Sequence, residues 1–435
     1  MQQHKNTSIV WFRNDLRSQD NNVLNSALMS SNRVIGVYFL DPKLSETTKY
    51  GFKKMDRYRA RFLLETLHCL KRELNKLNIS LLVFNTAAEH KMSSLVTSFD
   101  VDSIFLQKEW TSEEQLSLEK VKNVLPKGIK IHEIYDQFLF DPEDVPFGAH
   151  KTPVVFTQFR KLLEKKSKVK QLVELKPQNI DSLINQHTKI PNLIDIGFDT
   201  FEKDDRTAFP FEGGEISADL RLNHYFFESK ALGVYKKTRN GLLGLNYSSK
   251  LSAWLANGSI SARQIYWKVK MFEKQYFSNQ STYWLVFELI WRDFFKYTAL
   301  KHRNSIFKLG GILEKTYEWS TNQKFVQQWV NGETADDFVN ANMIELKKTG
   351  WMSNRGRQNV ASFFAKSQKL DWRIGAAYFE SMLIDYDVHS NYGNWMYVSG
   401  VGNDPRDRVF NVDLQAKRYD ANKKFRNQWL QTKLF

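Results

Sequence analysis

Cysteine is nearly absent from this chain of 435 residues: Cys69 stands alone, so no disulfide forms within the molecule. Such cysteine usage is typical of a reducing compartment. No uncharged apolar run is long enough to cross a bilayer, and the polar N-terminus, residues 1–7, lacks the apolar segment of a signal peptide. These absences argue against a disulfide-stabilised or membrane-spanning protein and predict a soluble, cytoplasmic one.

Patterns of metal ligands and of hydrolytic catalysis are missing as well. The nine histidines are scattered, and no Cys/His group has the spacing of zinc ligands, so we expect no metal site. No Ser-His-Asp arrangement is indicated. A glycine-rich turn does not follow the first strand-like run, which argues against a standard dinucleotide phosphate cradle.

Basic residues outnumber acidic ones by 63 to 48, a formal net charge of +15. Such an excess suggests a polyanionic partner, although a generic solvated basic surface accounts for the charge equally well. The aromatic content of 14% favours the first interpretation, because basic grooves with aromatic platforms hold extended single strands.

The first 140 residues alternate short apolar runs with longer amphipathic segments. Five runs predict strands that are covered on both faces: Ile9–Phe12, Val34–Leu40, Ser80–Phe84, Ser103–Leu106 and Lys130–Ile134. Between the second and third runs, leucines recur at helical spacing over Met55–Leu77. This alternation predicts a doubly wound parallel sheet, an α/β Rossmann-like domain over residues 1–140.

Residues 141–205 form a predicted connector that is broken by five prolines and contains a basic helix over Phe156–Lys170. Beyond it the two-residue periodicity of strands disappears. Seven helices are predicted there: Leu251–Leu255, Ala262–Tyr276, Tyr283–Lys301, Phe325–Val330, Ala341–Thr349, Gly356–Ser367 and Trp372–Leu383. We therefore expect an all-helical domain over residues 206–435.

A charged motif follows the first predicted strand, at the carboxyl edge where α/β domains bind ligands. It contains Arg13, Asp15, Arg17 and Asp20. Pairing of the arginines with the two aspartates, which would link the sheet to the second domain, is favoured over ligand binding.

The run Ser248–Ser252 opens a predicted helix. Hydroxyls and free backbone N–H groups at such a position bind phosphate well. The same serines would also serve as ordinary helix caps, and for an isolated serine pair that is the favoured interpretation.

Glu288 and Trp291 lie three residues apart on one face of a predicted helix. A carboxyl beside an indole in an apolar cleft would have a raised pKa and would hydrogen-bond a neutral carbonyl. The alternative is a surface salt bridge from Glu288 to a lysine. Asn354 and Arg357 also share a face, and Asp385 is the expected partner of Arg357, because a buried arginine needs a carboxylate.

Ten of the twelve tryptophans lie in the C-terminal half of the chain. Each ring needs burial and a partner for its indole N–H, so core packing explains any one of them. Indole also loses an electron at an accessible potential, so neighbouring rings relay electrons between the surface and a buried cofactor. Trp319, Trp372 and Trp395 are the candidates, and Asp387 and Asn391 lie close enough in sequence to line one pocket.

Seven motifs in register resemble the photolyase/cryptochrome family from Ile9 to Trp429, and they are most similar to its DASH-type cryptochromes. The motifs are Trp11–Arg17, Gly213–Glu215, Leu222–Phe227, Tyr235–Asn240, Trp291–Phe295, Lys308–Ile312 and Gly400–Arg406. The resemblance implies an α/β antenna domain, then a helical domain that holds FAD, with DNA as the partner. We expect a monomer.

The resemblance also implies roles for single residues. The FAD phosphates would be held by Tyr235, Ser248, Ser249, Lys250, Leu251 and Ser252. Asn391 would face the flavin N5, Arg357 and Asp385 would flank the ring, and Asp387 would complete this cofactor site. Trp395, Trp372 and Trp319 match the electron-relay tryptophans, from innermost to outermost.

Three residues, Glu288, Trp291 and Asn354, match positions that contact the damaged bases, and Glu109 matches the carboxylate that binds a folate antenna, 5,10-methenyltetrahydrofolate. A deazaflavin antenna, or none, is the alternative. Tyr397 replaces a tryptophan and Gln358 a methionine of many repair photolyases, which implies a less apolar substrate pocket. At Asn340 the family usually has aspartate, and we expect a change of local packing only.

The resemblance therefore implies blue-light-driven, FAD-dependent repair of cyclobutane pyrimidine dimers, preferentially in single-stranded DNA. The alternative is a blue-light photoreceptor or regulator that binds DNA without efficient repair. Signalling members often carry a long C-terminal extension, and the end of this chain soon after Trp429 favours the enzyme. A non-catalytic nucleic-acid binder would explain the charge but not the motifs.

Overall fold

The computed structural model describes residues 6–404 and 406–431. Residues 1–5 of the polar N-terminus and Pro405 of the last motif lie outside the described residues. Among the described residues, no helix combines the length and the apolar character needed to cross a membrane.

The N-terminal part contains a sheet of five parallel strands in the order β3-β2-β1-β4-β5. The strands are β1 Thr7–Phe12, β2 Arg33–Phe39, β3 Leu81–Phe84, β4 Val101–Gln107 and β5 Lys130–Ile134. Alternate residues of β1 enter different cores: Val10 packs on one face of the sheet and Ile9 on the other. The five predicted runs are therefore strands, and the predicted fold class is confirmed. Burial on both faces holds for β1 to β4 but is wrong for the edge strand β5, whose residues are exposed or only partly buried.

The strand order reverses between β1 and β4, which creates a topological switch point at their carboxyl ends. The segment that starts at Arg13 follows β1, and the segment that contains Glu109 follows β4. Both predicted features therefore lie where doubly wound sheets bind ligands.

Helices, joined by loops, make up the rest of the described chain. They are α1 Asn22–Ser30, α2 Arg57–Lys76, α3 Met92–Ser98, α4 Ser112–Val124, α5 Phe156–Lys166, α6 Glu215–Asn223, α7 Tyr235–Thr238, α8 Ser252–Asn257, α9 Ala262–Gln275, α10 Gln280–His302, α11 Gln323–Asn331, α12 Asp337–Thr349, α13 Asn354–Ser362, α14 Trp372–Met382, α15 Val388–Ser399, α16 Val412–Tyr419 and α17 Lys424–Leu430. The predicted basic helix ends at Lys166 rather than Lys170, because extended backbone begins at Ser167.

Buried polar contacts join the sheet to the helices, although not the ones expected. Arg17 pairs with Asp136 and also donates to the carbonyl of Gly258 (3.2 Å). Asp20 pairs with Arg263 of α9 at 2.9 Å. The predicted linking role of this motif is therefore supported, but the predicted pairing of its arginines with its own aspartates is wrong. The longer-range partners satisfy these charges inside the interface.

The motif Gly213–Glu215 has a packing role. A Cβ atom on Gly213 would lie 2.2 Å from the carbonyl oxygen of Phe62, so only glycine allows α6 to start this close to α2. Glu215 is buried and accepts hydrogen bonds from the backbone N–H (3.1 Å) and the hydroxyl (2.8 Å) of Ser18. The motif therefore fixes α6 against both the sheet and α2.

Candidate flavin and nucleic-acid site

A cavity of about 590 Å³ opens in the helical part of the molecule, between α8, α10, α13 and α15. All of the residues predicted to bind cofactor or substrate, apart from Asn391, line it: Tyr235, Ser248, Ser249, Lys250, Leu251, Ser252, Glu288, Trp291, Asn354, Arg357, Gln358, Asp385, Asp387 and Tyr397. The fold therefore brings the predicted cofactor-binding and substrate-binding residues together in one cavity, while their roles stay predictions.

A fixed loop, residues 245–249, forms one wall of the cavity. Arg221 of α6 is buried and donates hydrogen bonds of 3.0 Å each to the carbonyls of Leu245, Ser248 and Ser249. The burial of this guanidinium lowers its pKa to about 10. Arg221 therefore holds three carbonyls of a loop whose Ser248 and Ser249 line the cavity.

Lys250 is the most unusual residue of this wall. Its side chain is 2% exposed, and its Nζ has no hydrogen-bond partner among the described residues. The ammonium lies 3.2 Å from the centre of the Tyr247 ring, and its backbone has a left-handed φ of +65°. Burial lowers the pKa of Lys250 well below its usual value. A buried, unpaired cation in a strained conformation is the arrangement expected for an anion-binding residue.

Ser252 and Asp385 link this wall to α13. The Ser252 hydroxyl donates to Asp385 Oδ2 (2.7 Å), and Asp385 pairs with Arg357 at 3.0 Å. The expected Arg357–Asp385 pair is therefore present. The N-cap of α8 is Leu251, which makes no side-chain capping bond, so the interpretation of these serines as ordinary caps is wrong.

Asp387 caps α15 by accepting a hydrogen bond from the backbone N–H of Ser390 (2.8 Å). It also pairs with Lys296 at 2.8 Å. Burial raises the pKa of Asp387, but Lys296 and His389 outweigh this effect and hold the pKa below its usual value. Asp387 is therefore an anion that fixes the start of α15.

Asn391 occupies a position different from the expected one. It is buried, and its side-chain N–H donates to the carbonyl of Ala376 (3.0 Å), while Asn394, one turn further along α15, lines the cavity. The expected contact of Asn391 with the flavin stays a prediction.

Glu288 is paired with Arg239, which lies just beyond α7. Burial raises the pKa of the Glu288 carboxyl, and Arg239 opposes this shift. The expected alternative, a salt bridge to a lysine at the open surface, is therefore wrong in its partner and in its place. Arg239 belongs to one of the quoted motifs, but nothing in its spacing singled it out as the partner.

Aromatic rings flank Glu288 on α10. Trp291 stacks on Phe156 with ring centres 3.6 Å apart and meets Tyr397 edge-on at 5.9 Å. Asn354 is exposed at the start of α13, and the side-chain oxygen of Gln358 has no hydrogen-bond partner among the described residues. This part of the cavity therefore offers an aromatic platform with a polar rim.

The three candidate relay tryptophans lie on segments of the chain that contact one another. The ring of Trp395 lies against Gly375, where a Cβ atom would be 2.3 Å from it, and Trp372 starts the same helix one turn earlier. The chain next to Trp319 pairs with the chain before Trp372 through the N–H of Ser320 and the carbonyl of Lys369 (2.7 Å). Trp395 and Trp372 are buried and Trp319 is half-buried, while their roles and their order as an electron relay stay predictions.

A second cavity, of about 480 Å³, lies between the sheet and the helices and contains Glu109. Glu109 accepts a hydrogen bond from the side chain of Gln107 (2.8 Å), and burial raises its pKa to about 7. Lys296 and His389 line the same cavity, with Lys296 Nζ 3.1 Å from His389 Nδ1. The two cavities share Asp387 as a wall residue.

Two remaining expectations concern metal and packing. Within residues 6–404 and 406–431, the His, Cys, Asp and Glu side chains form no group suited to hold a metal ion. Asn340 accepts from the backbone N–H (2.8 Å) and hydroxyl (2.7 Å) of Thr334 and donates back to its carbonyl (2.8 Å). A carboxylate at this position would lose the last bond, so the amide stabilises the local turn.

Two family models match the chain. Residues 8–178 match the model described as DNA photolyase, and residues 284–433 match the model described as the FAD binding domain of DNA photolyase. The cryptochrome DASH of Gloeobacter violaceus is 41% identical over 427 residues, which cover 98% of this chain and 85% of the relative. The cryptochrome DASH of Danio rerio is 41% identical over 431 residues, which cover 98% and 83%.

Solved structures are similar over the same length. The crystal structure of a cryptochrome from Synechocystis sp. has a TM-score of 0.93 at 40% identity and covers 99% of this chain and 89% of its own. The archaeal photolyase from Sulfolobus tokodaii, which was solved with two FAD molecules, has a TM-score of 0.77 at 27% identity and covers 98% and 90%. Both the sheet and the helical part are therefore matched.

Proposed function

The chain belongs to the DASH cryptochromes of the photolyase/cryptochrome family, and on that premise we propose that it repairs cyclobutane pyrimidine dimers in single-stranded DNA under blue light. One observation supports this most: a single cavity is lined by an unpaired buried cation, an arginine–carboxylate pair and an aromatic platform beside a carboxyl group. The first two suit a dinucleotide cofactor, and the third suits two adjacent pyrimidines.

The residues of the cavity fit FAD. The Nζ of Lys250 is buried without a hydrogen-bond partner among the described residues, and a diphosphate would supply one; Arg221 meanwhile binds the carbonyls of Ser248 and Ser249. Arg357 and Asp385 would form polar contacts with the ring system. When bound, FAD supplies light-driven transfer of one electron to the dimer, chemistry that side chains cannot provide.

The protein residues would bind and orient the damaged bases. Trp291 would stack on one base, because its ring is already fixed against Phe156. Glu288 would hydrogen-bond a base carbonyl in a site largely shielded from water, where such a bond is stronger. Trp319, Trp372 and Trp395 would conduct electrons between the protein surface and α15.

The preference for single strands rests on the substrate side of the cavity. A dimer must leave the base stack before it enters, which costs a few kcal/mol less when no pairing has to be broken. Tyr397 meets Trp291 edge-on, and Gln358 adds a polar atom, so the pocket is less apolar than one with tryptophan and methionine at these positions. Such a pocket compensates poorly for opening a duplex.

The second cavity is the proposed antenna site, with a folate as the proposed ligand. A protonated Glu109 would donate a hydrogen bond and accept another, which suits the paired donor and acceptor atoms of a pterin ring. The archaeal relative solved with two FAD molecules makes a second flavin the competing candidate. The absorption spectrum of the purified protein distinguishes the two.

The test is direct. Reduced protein is illuminated with blue light in the presence of dimer-containing oligonucleotides, single-stranded or duplex, and dimer loss is followed. We expect loss in the single strand and much less in the duplex. Absence of light-dependent loss from both, together with normal photoreduction, would replace repair by the photoreceptor alternative.

A further inference from the structure

The carboxyl group of Glu288, which the proposed repair reaction needs free to contact a base, is held in an ion pair with Arg239. Glu288 and Arg239 are both half-buried in the wall of the cavity, and each is the recorded ion-pair partner of the other among the described residues. A carboxylate that already accepts from a guanidinium has no proton to donate, so it cannot hydrogen-bond to a pyrimidine carbonyl.

Positive charge exceeds negative charge around Arg239. Arg355 of α13 donates to the side-chain oxygen of Asn240, the residue after Arg239, at 3.0 Å. Burial lowers the pKa of Arg355, and the nearby Arg239 adds to this effect. Arg355 is therefore a second guanidinium beside Arg239, whereas Glu288 is the carboxylate paired with Arg239, so a further anion would stabilise this edge of the cavity.

The other ionisable groups that face Glu288 cannot replace Arg239. Tyr235 lies on the same segment, and burial raises its pKa above its usual value, so it stays neutral. Arg292 of α10 donates to the carbonyls of Gln137 and Leu255, and Tyr397 of α15 has a raised pKa. Without Arg239, Glu288 would keep the burial that favours its neutral form and lose the cation that opposes it.

On the basis of the proposed function, we propose that Arg239 is a positioning residue that changes its partner when a strand binds. Its guanidinium leaves Glu288 and pairs with a backbone phosphate of the bound strand, and Glu288 then takes up one proton. The phosphate takes the place of the Glu288 carboxylate as the anion beside Arg239. The proton comes from solvent, binds a carboxyl oxygen of Glu288 and is donated to a base carbonyl. No bond to carbon changes and nothing is oxidised or reduced.

This exchange couples recognition of the strand to recognition of the lesion. Phosphate alone draws Arg239 away, and a base with a carbonyl acceptor then stabilises the protonated carboxyl. Linkage sets the sign of the pH dependence: binding that takes up a proton weakens as pH rises. The loss of affinity approaches about tenfold per pH unit when a whole proton is taken up.

Calorimetry tests the proposal with FAD-loaded protein in the dark. A single-stranded oligonucleotide that contains one thymine dimer is titrated in two buffers of different ionisation enthalpy, and the difference gives the protons taken up. We expect about one proton for the unmodified protein, none for Glu288→Gln, and fewer for Arg239→Met, because loss of the guanidinium shifts Glu288 towards its neutral form before binding. Equal uptake by the unmodified protein and Glu288→Gln would overturn the proposal, as would no uptake by the unmodified protein.

Salt dependence tests the phosphate step separately. Arg239→Met should reduce the slope of log affinity against log salt by about one, for damaged and undamaged strands alike. Lys237→Met removes an exposed charge from the same segment and serves as the control for net charge, with FAD absorbance as the check on folding. An unchanged slope in Arg239→Met, or the same reduction in Lys237→Met, would overturn the exchange.

The underlying function fails in a different way. If the damaged strand binds no better than the undamaged one and light causes no dimer loss, both proposals fall. If the damaged strand binds preferentially and is repaired, but without proton uptake, only the role of Arg239 and Glu288 is lost.

Discussion

The two cavities share a wall but differ in their charge. The cavity of the predicted flavin and nucleic-acid residues contains Lys250, whose Nζ has no hydrogen-bond partner among the described residues. The cavity between sheet and helices contains Glu109, an acid whose pKa burial raises to about 7. Asp387 lines both cavities, and its negative charge is balanced by the ion pair with Lys296. The comparison teaches that burial alone prepares one site for an anion and the other for a ligand that accepts a hydrogen bond.

The sharpest test of the comparison is Trp395→Phe. It should abolish photoreduction of FAD in the first cavity and leave the second cavity unchanged. Phenylalanine fills much of the same space but is far harder to oxidise. We expect photoreduction of bound FAD by an external donor to stop, with FAD content preserved. Trp329→Phe is the control, because Trp329 also meets Trp395 edge-on at 6.3 Å but is not one of the three candidate relay residues. Normal photoreduction in Trp395→Phe would show that electrons enter elsewhere.

Glu109→Gln should change the stability of the protein without antenna. The folded-state pKa of Glu109 is raised from 4.5 to about 7, so its contribution to the free energy of unfolding is present below about pH 4.5 and is lost as pH rises through 7. The loss is about 3 kcal/mol. Denaturant unfolding at several pH values should show this pH dependence reduced in Glu109→Gln. The same curve for both proteins would contradict the burial argument.

Lys250→Met should weaken the binding of FAD in the first cavity but stabilise the protein when FAD is absent. Loss of a charge-assisted bond to phosphate is expected to weaken FAD binding by about tenfold to a hundredfold, or about 1.5–3 kcal/mol. Removal of a buried, unpaired cation should stabilise the protein without FAD. Fluorescence titration measures the first effect and thermal unfolding the second. Unchanged FAD affinity would show that Lys250 does not meet the phosphates.

The smallest effect is expected for Tyr397→Trp, which changes only the substrate end of the first cavity. A larger ring should improve stacking by about 1 kcal/mol and so raise the affinity for a dimer several-fold, more in duplex than in single strands. Binding assays with both forms of the oligonucleotide measure the ratio. If the ratio does not change, the single-strand preference has another origin.

Sequence patterns were sufficient for most of the sheet and for the content of the site. Strands β1 to β4 are mostly apolar runs because helices cover both faces of the sheet, and this makes them easy to recognise, whereas the edge strand β5 is partly exposed. Helix α15 was not predicted from periodicity, since it is buried on most sides and shows no clear apolar stripe. The short helices α3, α16 and α17 likewise carry too few turns for a periodic signal.

Ion-pair partners divide into those that the chain pattern indicates and those that it does not. Arg357 and Asp385 were matched because a buried arginine needs a carboxylate, and the structure contains this pair. Arg17 was expected to pair within its own motif and pairs with Asp136, which is 119 residues away. Local spacing favours a near partner, but a buried interface selects the carboxylate that also satisfies its remaining hydrogen bonds.

From the sequence alone come the alternation of apolar runs, the excess of positive charge and the set of residues that meet in the first cavity, because these depend on residue type and order. Only the tertiary structure decides that Lys250 Nζ has no hydrogen-bond partner within the described part of the chain, that Arg239 rather than a lysine pairs with Glu288, and that Asn391 donates to Ala376. The reason is physical: burial and pairing of a charge depend on every segment packed around it, and those segments are distant in the chain.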